Sequence, residues 1–140
     1  MSWDSYIDNL IAQTKDADGA THCDKACIIG LDGGAPWTSA LHPNALKLEA
    51  SEGYSIANCF KNKDFSPFMA SMVQAEGTSY TFLRVDDEKI VLAKKKDSGA
   101  LTMQASKTAV VIGHTAEGCQ QGNVNKGVAV IAEYLESLNM

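Results

Sequence analysis

Between residues 68 and 113 the chain alternates short β-prone runs with turn signals of two or three residues, and this spacing leaves little freedom of architecture. The runs are 68–74, 79–85, 89–95, 100–105 and 108–113. Their separators are Glu76-Gly77, Asp86-Asp87, Asp97-Ser98-Gly99 and Ser106-Lys107. A parallel crossover needs a dozen or more residues, so separators this short join antiparallel neighbours. The pattern predicts a five-strand antiparallel meander.

Helical patterns flank it. Ser2 is placed to cap a first helix, and Trp3, Ile7, Leu10, Ile11 and Thr14 follow along one helical face, with Tyr6 at its border. After a polar stretch with Asp-Ala-Asp-Gly turn chemistry, residues 26–31 read as a buried strand, Asp32-Gly33-Gly34 as a turn and residues 36–39 as the returning strand. Ile56, Cys59 and Phe60 recur at helical spacing over 51–61. The last helix is expected to begin near 120–123. Val124, Val128, Ile131, Leu135 and Leu138 form its apolar stripe, and Glu133 and Glu136 face away. Helices around a meander predict an α+β fold: a central antiparallel β-sheet with the N- and C-terminal helices packed together on one face. At 140 residues one hydrophobic core forms comfortably and two would each lack buried area, so residues 1–140 are expected to be a single domain.

Composition narrows the function classes. A formal net charge of -5 disfavours binding nucleic acid through phosphate neutralisation. The apolar runs 109–112 and 128–132 fall far short of the roughly 20 residues that span a bilayer. The start of the chain lacks a basic segment and an apolar signal core, so a cytoplasmic protein is expected. Cys23, Cys27, Cys59 and Cys119 are too scattered for a disulfide framework and read as reduced thiols. His22 with Cys23 and Cys27 lacks a second pair at zinc-site spacing, and Gly113 to Gly118 is followed by Cys119 where a phosphate loop requires lysine. Cys119 with His114 carries no thiol-enzyme signature, His42 reads as a loop residue, and Asp86-Asp87-Glu88 reads as a solvated turn. No metal, cofactor or catalytic residue is predicted.

Two features remain. Trp3 and Tyr6 lie on one terminal helix, Tyr134 on the other, and Trp37 on an early strand. Such residues are ordinarily core residues with one polar atom satisfied. Tyr134, however, falls off the stripe with Val130 and Leu138, which gives the last helix more apolar width than one sheet contact requires. The second feature is Lys94-Lys95-Lys96, with Arg84, Lys89 and Lys107, in an otherwise acidic chain. It reads either as protection of a strand end or as a landing site for an acidic protein or an anionic lipid head group.

Five ordered segments resemble the profilins: Ser2-Trp3-Asp4-Ser5-Tyr6-Ile7-Asp8; Ala26-Cys27-Ile28-Ile29-Gly30 with Trp37 after it; Lys94-Lys95-Lys96 to Gly99; Lys107-Thr108-Ala109-Val110-Val111-Ile112-Gly113; and Glu133-Tyr134-Leu135. The resemblance implies a monomeric, non-enzymatic protein of the cytoplasm and cytoskeleton. It implies a groove for proline-rich proteins such as formins at Trp3, Tyr6, Trp37 and Tyr134, with Leu138 and Met140. It implies monomeric actin as a partner at Lys94, Lys96, Gln120, Gly122, Asn125 and Lys126, where the protein would govern polymerisation and nucleotide exchange. Phosphoinositide head groups are implied at Lys94, Lys95, Lys96 and Lys126, in competition with actin. The competing readings are a trafficking module of longin or roadblock type, which needs no converging aromatics, and a cysteine-dependent enzyme.

Overall fold

The computed structural model describes residues 3–140. Strand β1 (Cys23–Gly30) is followed, after helices, by β2 (Val73–Ala75), β3 (Thr78–Asp86), β4 (Ile90–Lys95), β5 (Gly99–Ala105) and β6 (Ala109–Thr115). They form one antiparallel sheet in the order β1-β6-β5-β4-β3-β2, so the meander is continuous and β1 adds beside its last strand. Asp86 pairs with Ile90, so three residues join β3 to β4; Asp87 and Glu88 take φ values of 54° and 57°, the mirror-image turn geometry that matches strand twist, and Lys89 N–H donates to the Asp86 carbonyl.

Helix α1 (Asp4–Gln13) and helix α4 (Gln121–Ser137) pack together on one face of the sheet, as expected. Their stripes meet Ile28 and Val111 through Ile7, Leu10, Val124, Val128, Ile131 and Leu135. Each such side chain is worth roughly 1.5–3 kcal/mol on burial. Helices α2 (Ala50–Asn62) and α3 (Ser66–Ser71) belong to the cluster on the other face, where Ile56, Phe60, Phe65 and Phe68 join Cys27, Ile29, Leu101, Met103 and Ile112. With both faces covered, β5 and β6 are buried along their whole length; β6 opens with the apolar run 109–112, whereas β5 sets Leu101 and Met103 on one face and the buried polar Thr102 and Gln104 on the other. The two terminal helices touch at Gly127, where a Cβ would lie 2.7 Å from Thr14 Cγ2 and 3.1 Å from the Leu10 carbonyl oxygen.

Several expectations are corrected. The cap at Ser2 lies outside the described residues. The 36–39 segment is not a strand, because Pro36 has no N–H to give and pairing stops at the single bridge from Pro36 to Ile29. The loop instead covers the outer edge of β1: Trp37 N–H donates to the Ile28 carbonyl, and residues 44–46 run beside Ala26. The expected 68–74 strand is α3 followed by β2. The Asp64 carboxylate accepts from the backbone N–H and hydroxyl of Ser66, Pro67 fits the first helical turn, and Met72 at φ 65° ends the helix. Leu138 leaves the buried stripe, being the C-cap of α4 and 46% exposed. Lys89 and Lys107 do not reinforce Lys94–Lys96, because strand register puts them at the opposite end of the sheet.

Candidate functional site

The four aromatic residues form one run of rings. Trp3 stands between Trp37 and Tyr6, with ring centroids 4.8 and 5.1 Å away, and Tyr6 lies 6.2 Å from Tyr134 across the junction of α1 and α4. Trp3, Tyr6 and Trp37 are half-buried against the helix-side core, and Tyr134 is 50% exposed. Val130 and Leu138, one turn to either side of Tyr134, continue the exposed ridge. Among the described residues neither indole N–H nor either phenol O–H in this run has a hydrogen-bond partner. The surface therefore offers flat apolar faces beside unused donors, which suits an extended peptide with free carbonyls.

Residues without a predicted role hold Trp37 in place. The Asp4 carboxylate accepts from Ser39 N–H at 2.7 Å, and Asp8 meets His42 Nε2 at 2.9 Å, while His42 Nδ1 accepts from Asn44 N–H. Asp4 and Asp8 are one turn apart on α1, so the helix grips the Trp37 loop along one side. That spacing was the available sequence signal, and it required knowing which loop lay opposite. Trp37 also lies over Gly30, where a Cβ would come within 3.0 Å of the indole Nε1. Met140 packs on the same core, and its carbonyl oxygen accepts from the Ser106 and Thr108 hydroxyls at 2.9 and 2.8 Å.

The basic residues occupy a second surface. Alternation along β4 puts Lys94 on the α4 face and Lys95 on the other, with Lys96 in the following turn; all three are exposed. A shallow depression at the N-terminus of α4 is lined by Lys94, Gly99, Thr115, Gln120 and Gly122. The helix start is anchored to the sheet: Gln121 Nε2 donates to the Leu101 carbonyl at 3.0 Å, and the Thr102 hydroxyl donates to Asn125 Oδ1 at 2.5 Å. Gly122, Asn125 and Lys126 share one side of α4, and Lys126 is exposed. Gln120 N–H donates to His22 Nδ1 at 2.9 Å, while His22 Nε2 meets Asp16 at 2.8 Å. This contact holds the Asp16 carboxyl below its ordinary range, helped by the Ala20 N–H. The sequence-predicted residues thus fall into two groups: the aromatics at the α1–α4 junction, and Lys94 with Gln120 and Gly122 at the start of α4.

The thiols are poorly suited to catalysis. Burial pushes Cys23 up to about 12 and Cys59 up to about 11, and Cys27 higher still. Cys119 is half-buried, and His114 has both ring nitrogens engaged elsewhere, by Asp24 and the Ser98 carbonyl. No helix among the described residues is long and apolar enough to cross a membrane.

Comparison with known proteins agrees along the whole chain. The family model described as Profilin matches residues 1–140. A profilin of Heliocidaris crassispina is 74% identical over 140 residues, covering 100% of both chains. The crystal structure of Acanthamoeba castellanii profilin II superposes with a TM-score of 0.79 at 26% identity, covering 99% of this chain and 100% of the other. Mouse profilin IIa, solved in complex with a double repeat from the FH1 domain of mDia1, superposes with a TM-score of 0.71 at 20% identity, covering 100% of both chains.

Proposed function

The chain belongs to the profilin family, and on that premise we propose that it is a non-catalytic adaptor that binds actin monomers on one surface and proline-rich segments on another. The observation that carries the second half is the run of four rings, whose N–H and O–H groups have no hydrogen-bond partner among the described residues. A polyproline II segment is extended before it binds and loses little entropy. Its pyrrolidine rings pack on aromatic faces and its free carbonyls accept from indole and phenol donors. The FH1 complex of mouse profilin IIa supports a ligand of this kind. Trp3, Tyr6, Trp37 and Tyr134 form the centre of the groove, with Leu138 and Met140 at its end.

The actin surface comprises Lys94 and Lys96 with Gln120, Gly122, Asn125 and Lys126. Its support is the basic strand end beside a helix N-terminus, which offers an acidic partner both charge and unpaired N–H groups. Two separate surfaces allow one 140-residue domain, acting as a monomer, to hold an actin monomer while a proline-rich elongation factor holds it. The protein would thereby control nucleotide exchange and polymerisation at the cytoskeleton. Anionic phosphoinositides would engage Lys94, Lys95, Lys96 and Lys126 and compete with actin.

Tryptophan fluorescence during titration with a proline decamer tests the groove directly. A saturable change that Trp3→Ala abolishes is expected, and no change at millimolar peptide would remove the reading.

A further inference from the structure

The turn between β4 and β5 follows the strand that carries Lys94 and Lys95, contains Lys96, and is held by two side chains, Glu117 at the Gly99 N–H and His114 at the Ser98 carbonyl. His114, on β6 and only 8% exposed, has Nδ1 at 2.5 Å from Asp24 Oδ1 and Nε2 at 2.7 Å from the Ser98 carbonyl oxygen. A neutral imidazole carries one N–H and one lone pair, so it satisfies only one of two acceptors; both are satisfied when the ring holds both protons. Gly99 completes the fit. Its φ is 91°, and a Cβ there would collide first with the Thr115 carbonyl oxygen and would also meet His114 Cε1 and Nε2 at 3.0 Å, so the start of β5 lies against both the β6 backbone and the ring.

The charged and titratable surroundings come from every neighbouring element. Cys23, Asp24 and Lys25 are on β1, and Glu76, in the β2–β3 turn, pairs with Lys25 at 2.9 Å. Tyr80 on β3 stands edge-on, its ring centroid 6.0 Å from that of His114. Glu117, beyond β6, accepts from Gly99 N–H at 3.0 Å; Lys94 and Lys95 end β4, and Lys96 and Asp97 lie in the turn itself. Burial alone pushes the imidazole down. The Asp24 hydrogen bond and charge, with the Ser98 carbonyl, outweigh that and the opposing Lys25 charge, so the pKa ends above the ordinary histidine value.

We propose that His114 is a proton-linked positioning residue for the basic surface: as an imidazolium it ties the Ser98 carbonyl to Asp24, and on losing a proton it releases the Ser98 side of the β4–β5 turn, leaving the turn held by Glu117 alone. The carboxylate is the stronger acceptor and keeps the remaining proton, so the bond to Ser98 is the one lost. A raised pKa gives the direction. The tie is complete below the ordinary histidine value of about 6.5 and is lost as pH rises through the raised one. The consequence for actin rests on the proposed function; the tie itself does not.

The test follows His114 ring resonances and amide exchange at Ser98 and Gly99 between about pH 6 and 9, corrected for intrinsic base catalysis. Protection at these amides should fall about tenfold as the ring titrates, the loss of a charge-assisted hydrogen bond, while β1 amides hold. His114→Gln should remove the pH dependence, and Asp24→Asn should move its midpoint to lower pH. A neutral His114 throughout the range, or unchanged protection as it titrates, overturns the tie. Actin-monomer affinity is measured in parallel for wild type and His114→Gln. A wild-type affinity that falls relative to the variant through the same midpoint supports the positioning role. A flat ratio, with binding still weakened by reversing Lys94 and Lys96 to glutamate, overturns that role and leaves the actin site standing. No actin binding at any pH overturns the site, and the exchange data still decide the tie.

Discussion

Replacing Gly127 by alanine should destabilise the protein, although the same change in an ordinary helix interior gains about 1 kcal/mol. The reason is the junction of α1 and α4. A Cβ at Gly127 would sit 2.7 Å from Thr14 Cγ2, far inside the optimum of about 3.5–4.0 Å for a carbon pair. Thr14 cannot turn its methyl away cheaply. Its hydroxyl donates to the Ile11 carbonyl at 2.7 Å and accepts from the His22 and Cys23 N–H groups at 3.1 and 3.3 Å, bonds worth about 1 kcal/mol each. The other near neighbour, at 3.1 Å, is the Leu10 carbonyl oxygen, which moves only with the α1 backbone. Overpacking costs about 1–3 kcal/mol, and two fixed neighbours select the upper part of that range. Subtracting the propensity gain leaves a net loss of about 1–2 kcal/mol. In urea unfolding this lowers the midpoint by about 0.5–1 M at unchanged slope. Thr14→Ser removes the methyl and keeps the hydroxyl, so the double variant should recover much of the loss, with a coupling of about 1 kcal/mol. A Gly127→Ala midpoint at or above wild type, or no coupling to Thr14→Ser, would refute the reasoning. An α1 pushed outward also carries Trp3 and Tyr6 away from Tyr134, so proline-peptide affinity should weaken along with stability.

Other perturbations probe separate parts of the molecule. The Glu52 carboxylate, buried at the start of α2, accepts from the backbone N–H groups of Glu49, Glu76 and Gly77 at 2.8 to 2.9 Å. Glu52→Ala should cost about 3 kcal/mol or more by chemical denaturation, and a loss under about 1 kcal/mol would mean that water replaces the carboxylate easily. Reversing Lys94 and Lys96 to glutamate should weaken actin-monomer binding about fivefold, at roughly 1 kcal/mol for the pair, with proline-decamer affinity intact; equal loss of both activities would point to misfolding. A thiol reagent at mildly alkaline pH should label half-buried Cys119 about a hundredfold faster than Cys23, Cys27 or Cys59, which burial holds protonated. Equal rates, read by mass spectrometry, would mean that the sheet opens readily.

Local chemistry made much of the fold legible. Turn residues at short intervals specify antiparallel hairpins because only certain residues accept the backbone angles of a tight reversal, and the separators from Glu76-Gly77 onward all lie at such reversals. The stripe from Val124 to Leu135 is buried along its length because a periodicity of 3.6 residues describes one side of a helix whatever it packs on. Tyr134 stood off that stripe in the sequence and is exposed in the fold. Periodicity misread 68–74, where the Asp64–Ser66 hydrogen bonds and Pro67 in the first turn start a helix in place of a strand, and 36–39, where a loop covers the sheet edge with one bridge.

What depends on distant residues meeting was decided only by tertiary structure. Trp3, Tyr6, Trp37 and Tyr134 become one surface because α1 and α4 touch at Gly127 and because Asp4 and Asp8 hold the Trp37 loop. Strand register likewise separated Lys89 and Lys107 from Lys94 and set the ring of His114 beneath the basic turn. The sequence alone determined the turns and helix stripes, since these are relations among residues a few positions apart. Which ring faces which, and which charge meets which, followed from packing across more than a hundred residues of chain, where neighbours are set by the sheet and not by spacing.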